Sequence, residues 1–219
     1  MKSMFAAAVA AVFVAGAANA ATTSYSDSIS MTSLDFDTTL SVAKFDSALG
    51  TLNSVTVELT GVVDGGAEYE NRSTSSGTTF KLSVAALIEA AFSFGGSVEV
   101  NVSPTGLSSP ITVGVFDGTL DFAGTSGGSV SGLTDTDTDS KIYTTGLSNF
   151  IGAGNLDIFI NADGTSQAIG GANVATIFTT DASASVKVTY DYSPIPLPAA
   201  LPLLGAGIGA LAIARRRAA

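Results

Sequence analysis

Apolar and polar residues alternate over Val55–Gly61, VTVELTG, and this pattern is the main indication of the fold class. Val186–Tyr192, VKVTYDY, repeats this pattern, and Leu156–Asn161, LDIFIN, follows it less cleanly. Successive side chains of a β-strand point to opposite faces, so a period of two predicts half-buried antiparallel strands. The apolar and β-branched positions of these three segments are the expected inward faces of a sheet.

Shorter runs of similar composition lie on both sides of these segments and predict a protein built from many strands. The further strand candidates are Ser24–Thr32, Thr38–Lys44, Glu68–Asn71, Thr79–Ile88, Ser97–Val102, Ile111–Phe116, Thr119–Phe122, Lys141–Thr144 and Ala172–Thr179. Val84–Phe94 contains helix-forming Ala and Leu, but its flanks favour a strand. Asp64-Gly65-Gly66 predicts a turn and Asp117-Gly118 a tight hairpin. Together they predict an all-β fold, an antiparallel β-sandwich of jelly-roll-like form over residues 21–193.

The composition excludes several classes of function. The chain has 219 residues with no Cys, His or Trp, so it has no disulfide, no thiolate nucleophile and no Ser-His-Asp triad. Its 9 basic and 19 acidic residues give a net charge of −10, which argues against a nucleic-acid partner. Ser41 and Lys44 match a Ser-x-x-Lys spacing, but the companion motifs of that enzyme class are absent. We therefore predict that the protein is not an enzyme.

The N-terminus has the three parts of a secretory signal peptide. Lys2 precedes the apolar run Phe5–Ala17, and small residues at Ala18 and Ala20 form an A-x-A cleavage site before Ala21. An N-terminal membrane anchor is the alternative, but the apolar run is shorter than the roughly 20 residues that span a bilayer. Residues 1–20 are accordingly predicted to be removed on export.

Residues 194–219 have a different order: a proline-rich stretch, an apolar segment over Ala200–Ala214, and three arginines. The arginines are expected to stay on the cytoplasmic side of a membrane. One interpretation is a permanent tail anchor, and the other is a tail that is inserted transiently, recognised and removed.

The second interpretation gains weight from a resemblance in the tail. Its Pro-rich motif, apolar segment and basic end resemble the VPLPA-CTERM sorting signal of the PEP-CTERM group, with Ile in place of the usual Val at the first position. The matching residues are Ile195, Pro196, Leu197, Pro198, Ala199, Arg215, Arg216 and Arg217. The resemblance implies processing by an exosortase-type protease after transient anchoring in the inner membrane of a Gram-negative bacterium. The product would then reach the cell surface or the extracellular matrix.

The domain itself resembles the choice-of-anchor E family at Lys44–Val55, KFDSALGTLNSV. In that family an aromatic-Asp-x-x-Leu-Gly-Thr-Leu turn leads into a long alternating strand. The resemblance implies an exported bacterial domain that carries one of several C-terminal anchors. No established activity of the family is carried over to this chain by the resemblance.

The sharpest cluster of possible ligands is Asp135, Asp137 and Asp139, which occupy alternate positions of an expected loop. Calcium is often held by carboxylates spaced in this way, although the glycine and glutamate of an EF-hand are missing. A solvated acidic loop is the alternative interpretation. Asp35 and Asp37 form a weaker candidate pair.

From these observations we expect an exported, non-catalytic surface or extracellular-matrix protein with a structural or adhesive role. The alternative is a calcium-assisted carbohydrate-binding module of an extracellular polysaccharide matrix. Tyr190 and Tyr192 share one face of a predicted strand, where they form either part of the core or a stacking surface for sugars.

Overall fold

The computed structural model describes residues 20–95, 97–195 and Arg215, and these residues form antiparallel sheets with one short 3₁₀ turn at Leu147–Phe150. The prediction of an all-β, antiparallel protein is confirmed. The strands are β1 Ala21–Ser33, β2 Phe36–Ala43, β3 Gly50–Asn71, β4 Thr78–Phe92, β5 Val98–Val102, β6 Thr105–Leu107, β7 Ile111–Val113, β8 Gly127–Tyr143, β9 Asn155–Gly164, β10 Gln167–Ile169 and β11 Val174–Pro194.

Two sheets pack face to face. The first has the strand order β1-β11-β3-β8, and β3 and β11 pair along nearly their whole lengths. In the second, β4 lies at the centre, with β9 and then β2 on one side and β5, β6 and β7 on the other. The short strand β10 continues the β9 side of β4. The sandwich is thus held by sheet pairing and by the side chains between the two sheets.

The main core lies between the sheets and is filled by the inward positions of the alternating strands. The segment Val55–Gly61 lies in β3, with Val55, Val57 and Leu59 fully buried, as its alternation predicts. Val84–Phe94 is largely in β4, so the strand interpretation of this segment is confirmed. The largest side chains in this core are Tyr190, Phe45, Phe92, Phe150, Leu59, Ile88, Leu156, Ile158 and Ile160.

A second, smaller core lies at one end of the long strands. Its buried members are Ala67, Phe80, Leu82, Val84, Val113 and Leu133. This end differs from the main core in carrying polar side chains below the surface. The buried polar side chains of the described residues are Glu70, Asn71, Ser83, Ser108 and Ser126.

The predicted turn at Asp64-Gly65-Gly66 is wrong, because β3 runs through it without interruption. The register between β3 and β8 shifts between Gly65 and Ala67, which marks a bulge. A Cβ on Gly65 would meet the backbone carbonyl of Thr179, and one on Gly66 that of Val130. These glycines therefore allow close approach of strands on both sides, which is the other common use of glycine in a sheet.

The predicted strand at Thr119–Phe122, and with it the hairpin at Asp117-Gly118, is also wrong. This segment belongs to an irregular loop between β7 and β8. Asp117 and Asp121 each accept the backbone N–H two residues further on, from Thr119 at 3.0 Å and Ala123 at 3.1 Å. Such local bonds turn the chain and compete with pairing into a sheet.

Most of the two terminal segments lies outside the described residues, including the predicted signal peptide up to residue 19 and the apolar segment Ala200–Ala214. Within the part of the chain that the structure describes, no helix has the length and apolar character needed to cross a membrane.

Candidate functional site

A shallow groove of about 380 Å³ lies on the outer face of the second sheet. It crosses β2, β9, β4 and β5, and Phe159 of β9 lies at its centre with its side chain 49% exposed. The alternation of β9 places Ile158 and Ile160 in the core and therefore turns Phe159 outward. A large aromatic ring is thus presented to solvent from a rigid central strand.

Small neighbours keep the Phe159 ring accessible. Thr39 of β2 is its cross-strand partner on one side and Ala91 of β4 on the other. Val98 of β5, which is 44% exposed, pairs with Ala91 and extends the apolar row across a fourth strand. Since neither Thr39 nor Ala91 is bulky, the ring stands above its neighbours as a flat apolar surface.

A polar row runs beside this apolar row. Asn161 pairs across strands with Asp37 and with Glu89. Its amide Nδ2 donates to Oδ1 of Asp37 at 3.0 Å, which holds both side chains in place. Glu89 in turn lies opposite Asn101 of β5. The groove therefore combines an exposed aromatic face with a row of amide and carboxylate groups.

The three aspartates predicted to bind calcium lie in a strand, so the predicted loop is wrong. Asp135, Asp137 and Asp139 lie on the face of β8 that is directed toward the second sheet, but at the open edge of the first sheet, so Asp135 and Asp139 are exposed and Asp137 is half-buried. Alternate positions of a strand are about 7 Å apart, so their carboxylates are spread along the edge. Among the described residues no group of three acidic side chains could hold a metal ion.

Two of these aspartates have a structural role in a seam between the sheets. Asp137 Oδ2 accepts the backbone N–H of Ser103 at 2.9 Å, and Asp135 Oδ2 accepts that of Thr105 at 2.8 Å. The bonds connect β8 to the chain between β5 and β6 in the second sheet. Inward-pointing charges are one way in which proteins protect the open edge of a sheet. We call this side of the sandwich the β5–β8 seam.

The β5–β8 seam continues in a cluster around Glu99. Its Oε2 accepts hydrogen bonds from Lys141 Nζ and from the Tyr143 hydroxyl, both at 2.7 Å. The hydrogen bond from Lys141, followed by that from Tyr143, holds the pKa of Glu99 below its usual value. Burial and then the hydrogen bond to Glu99 raise the pKa of Tyr143. Glu99 is therefore charged and Tyr143 neutral at neutral pH.

The weaker candidate pair divides between two roles. Asp35 lies in the turn between β1 and β2 at a φ of 65°, and its Oδ1 accepts the backbone N–H of Gly164 at 2.8 Å. Asp37 lies in the groove beside Asn161. The two carboxylates have different partners, the backbone N–H of Gly164 for Asp35 and the amide of Asn161 for Asp37.

The hypothesis that Tyr190 and Tyr192 form a stacking surface for sugars is wrong for Tyr190. This residue is fully buried, and its hydroxyl donates to the backbone carbonyl of Ala43 at 2.9 Å. Burial raises its pKa to about 12. Tyr192 is half-buried and packs on Phe45 with ring centroids 5.2 Å apart. The pair belongs to the core and its margin.

Few of the predicted processing residues fall in the described part of the chain. Ala20 is exposed, and Ala21 begins β1 opposite Tyr192 of β11. Ile195 is 61% exposed and donates its backbone N–H to Leu49 at 3.2 Å, and Arg215 is exposed. The two predicted processing regions therefore leave the sandwich at the same end. The remaining residues, Ala18, Pro196, Leu197, Pro198, Ala199, Arg216 and Arg217, lie outside the described residues.

The groove was not predicted from the sequence, although the sequence contains one indication of it. Phe159 occupies a polar position in the alternation of Leu156–Asn161, and this is the irregularity that makes the segment less clean. An aromatic residue on the solvent side of a strand indicates exposed apolar surface. That Glu89 and Val98 join it could not be foreseen, because the pairing of β9 with β4 and of β4 with β5 sets their positions.

Comparison with known proteins yields only distant structural likeness. No family model matches the chain, and no curated protein matches it. Among solved structures, the infectious bursal disease virus Gx strain aligns over 81% of this chain at 10% identity with a TM-score of 0.24. The VP2 subviral particle of the same virus aligns over 86% at 10% identity with a TM-score of 0.26. The chain covers 37% and 43% of those chains, respectively.

Proposed function

We propose that the chain is an exported, non-catalytic surface or extracellular-matrix protein with an adhesive role. In this proposal the signal peptide 1–20 directs export, and an exosortase-type protease recognises the VPLPA-type tail and removes it. The order of the Pro-rich motif, apolar segment and arginines supports the sorting step. The neighbouring positions of Ala21 and Tyr192 support processing at one end, because a domain tethered there keeps its opposite end free.

We further propose that the sandwich is a jelly roll, as expected from the sequence. The orders β1-β11-β3-β8 and β2-β9-β4-β5 support this assignment, since the long strands alternate between the two sheets along the chain except at β4 and β5, which pair within the second sheet. Jelly rolls are common among lectins and other binding domains, although a fold alone defines no function.

The observation that carries the adhesive role is the groove centred on Phe159. An exposed aromatic ring can stack on the apolar face of a sugar, while Asn161, Asp37 and Glu89 can hydrogen-bond its hydroxyl groups. The carboxylates in the groove disfavour acidic polymers by like-charge repulsion. We therefore propose that the groove binds neutral polysaccharide of the extracellular matrix.

A binding experiment tests the groove. Native electrophoresis in gels containing soluble neutral polysaccharides should retard the wild-type chain. Phe159→Ala should weaken this retardation about 2- to 10-fold, which is the range of an aromatic contact worth roughly 0.5–1.5 kcal/mol. Ile177→Ala is the matched control, because Ile177 is 53% exposed on the other sheet. Equal loss in both variants, or no retardation by any neutral polysaccharide, would contradict the proposal.

The sorting step needs a separate experiment. Intact-mass analysis of the native extracellular protein should find a chain that begins at Ala21 and lacks the arginine-rich tail. Recovery of a full-length cytoplasmic chain would contradict export without bearing on the groove.

A further inference from the structure

Glu70 is a buried carboxylate for which the described protein provides no partner. The residue is fully buried near the end of β3, and both of its side-chain oxygens lack a hydrogen bond. The one salt bridge among the described residues, Lys141–Glu99, does not involve it. Polar side-chain atoms that are buried without a hydrogen-bond partner destabilise a fold, so the unpartnered Glu70 carboxyl group is a feature that a bound ligand would compensate.

The side chain is buried because a loop covers it. Glu70 lies at an outward position of β3, between Ala175 of β11 and Gly127 of β8. A Cβ on Gly127 would meet Oε2 of Glu70 and also the backbone of Phe122 and Ala123. The carboxylate is therefore enclosed between the first sheet and the segment 114–126, which we call the covering loop.

The covering loop is fixed over Glu70 by bonds on both sides. The backbone N–H of Asn71 donates to the Ser126 carbonyl at 2.8 Å, and Asn71 Nδ2 donates to the Gly114 carbonyl at 2.7 Å. Ser126 is itself fully buried, and its hydroxyl accepts the N–H of Asp117 at 3.3 Å. The enclosure around the carboxylate is thus a built part of the fold, with both ends of the loop anchored beside it.

We propose that Glu70 and the covering loop form a calcium site. A cation would compensate both unpartnered oxygens of Glu70 at once, since buried carboxylates in proteins are paired or coordinate metals. Calcium takes six to eight oxygen ligands, and backbone carbonyls serve as readily as carboxylates. In the proposed site Glu70 supplies one or two of these ligands, and the remaining ligands would have to come from oxygens of the covering loop and from water. A single carboxylate also predicts weak binding, with a Kd of about 10⁻⁴–10⁻³ M, as in extracellular calcium modules.

This site is distinct from the groove and from the β8 aspartates. Glu70 lies on the first sheet, whereas the groove crosses the second. Its effect is on the covering loop and the second core, so calcium would stabilise that end of the sandwich whether or not the groove binds polysaccharide. A failure of one proposal therefore leaves the other standing.

The test uses the purified chain after treatment with a chelator. Calcium chloride should raise the melting temperature by about 5–10 °C at 100 times Kd, whereas sodium chloride at equal ionic strength should not. Amide hydrogen exchange should slow in the covering loop and remain unchanged in β9. Glu70→Gln should abolish both responses, and Asp139→Asn, which removes an exposed carboxylate outside the site, should retain them.

A calcium titration of the wild-type chain through the millimolar range keeps the proposal falsifiable if Glu70→Gln fails to fold. One calcium ion per chain, bound saturably and accompanied by slower exchange in the covering loop, supports the site. No bound calcium, no specific rise in melting temperature, or an equal rise in Glu70→Gln would overturn it.

Discussion

The main core and the second core belong to the same long strands, yet they are stabilised in different ways. The main core is filled by aliphatic and aromatic side chains, and the hydroxyl of its buried Tyr190 is satisfied by the carbonyl of Ala43. The end of the molecule that holds the second core contains Glu70, Asn71 and Ser126, together with the covering loop. The hydrophobic effect is non-directional, whereas buried polar groups stabilise a fold only when each has its hydrogen-bond partner. We therefore expect the main core to contribute most of the free energy of folding. Ligand binding should change stability mainly at the other end.

The largest effect expected is from truncation in the main core. Ile158→Ala removes a fully buried side chain from the central strand β9 and should lower the free energy of unfolding by about 2–5 kcal/mol. Leu133→Ala changes a side chain of the second core that is 7% exposed and lies on an edge strand. Its loss of unfolding free energy should be at or below the lower end of that range. Urea denaturation of both variants measures the difference. An equal or larger loss for Leu133→Ala would break the comparison.

A somewhat smaller effect is expected from the polar end. Asn71→Ala removes the amide that donates to the carbonyls of Ser76 and Gly114 and accepts from the N–H of Ser73. Because buried partners are left unpaired, the loss should be about 2 kcal/mol, with faster amide exchange in the covering loop. Asn53→Ala, whose hydrogen bonds are exposed, should change stability by less than about 0.5 kcal/mol. Equal losses would mean that the buried amide has no special role.

The β5–β8 seam provides a finer test. Asp137→Ala deletes the acceptor for the Ser103 N–H and should cost about 1 kcal/mol. Asp139→Ala is the matched control, because the Asp139 carboxylate bonds only to the N–H of the next residue, Ser140. Thermal or urea denaturation should leave the control close to wild type. Similar losses in the two variants would argue that all three β8 aspartates act through charge alone.

The smallest effect concerns acid stability. Since hydrogen bonds lower the pKa of Glu99 in the folded chain, its contribution is present above the usual value of 4.5 and is lost as pH falls through the folded value. Glu99→Gln should therefore be less stable than wild type at neutral pH, and the gap should narrow below pH 4.5. Urea midpoints measured from pH 7 downward test this. A gap that stays constant would contradict the assigned role of Glu99.

The main core and the polar end of the sandwich also differ in how well the sequence predicts them. The alternation in Val55–Gly61 and Val186–Tyr192 fixes the fold class and the inward faces of the main core, because both depend on local periodicity. The turn predicted at Gly65 and Gly66 is wrong because a glycine pair is typical both of turns and of places where strands approach closely. The neighbouring strands decide between these two uses. The groove and the burial of Glu70 depend on which strands pair and which loop folds over them. No local pattern in the chain encodes those long-range contacts.

Native-state hydrogen exchange measures whether the two ends of the sandwich differ in their source of stability. We predict that amides of β3 within 55–63 and of β9 exchange only through global unfolding. Amides of 67–71 and of the covering loop should exchange through a local opening of lower free energy. If both ends are protected equally and respond to denaturant together, the two ends share one source of stability and the proposed difference is wrong.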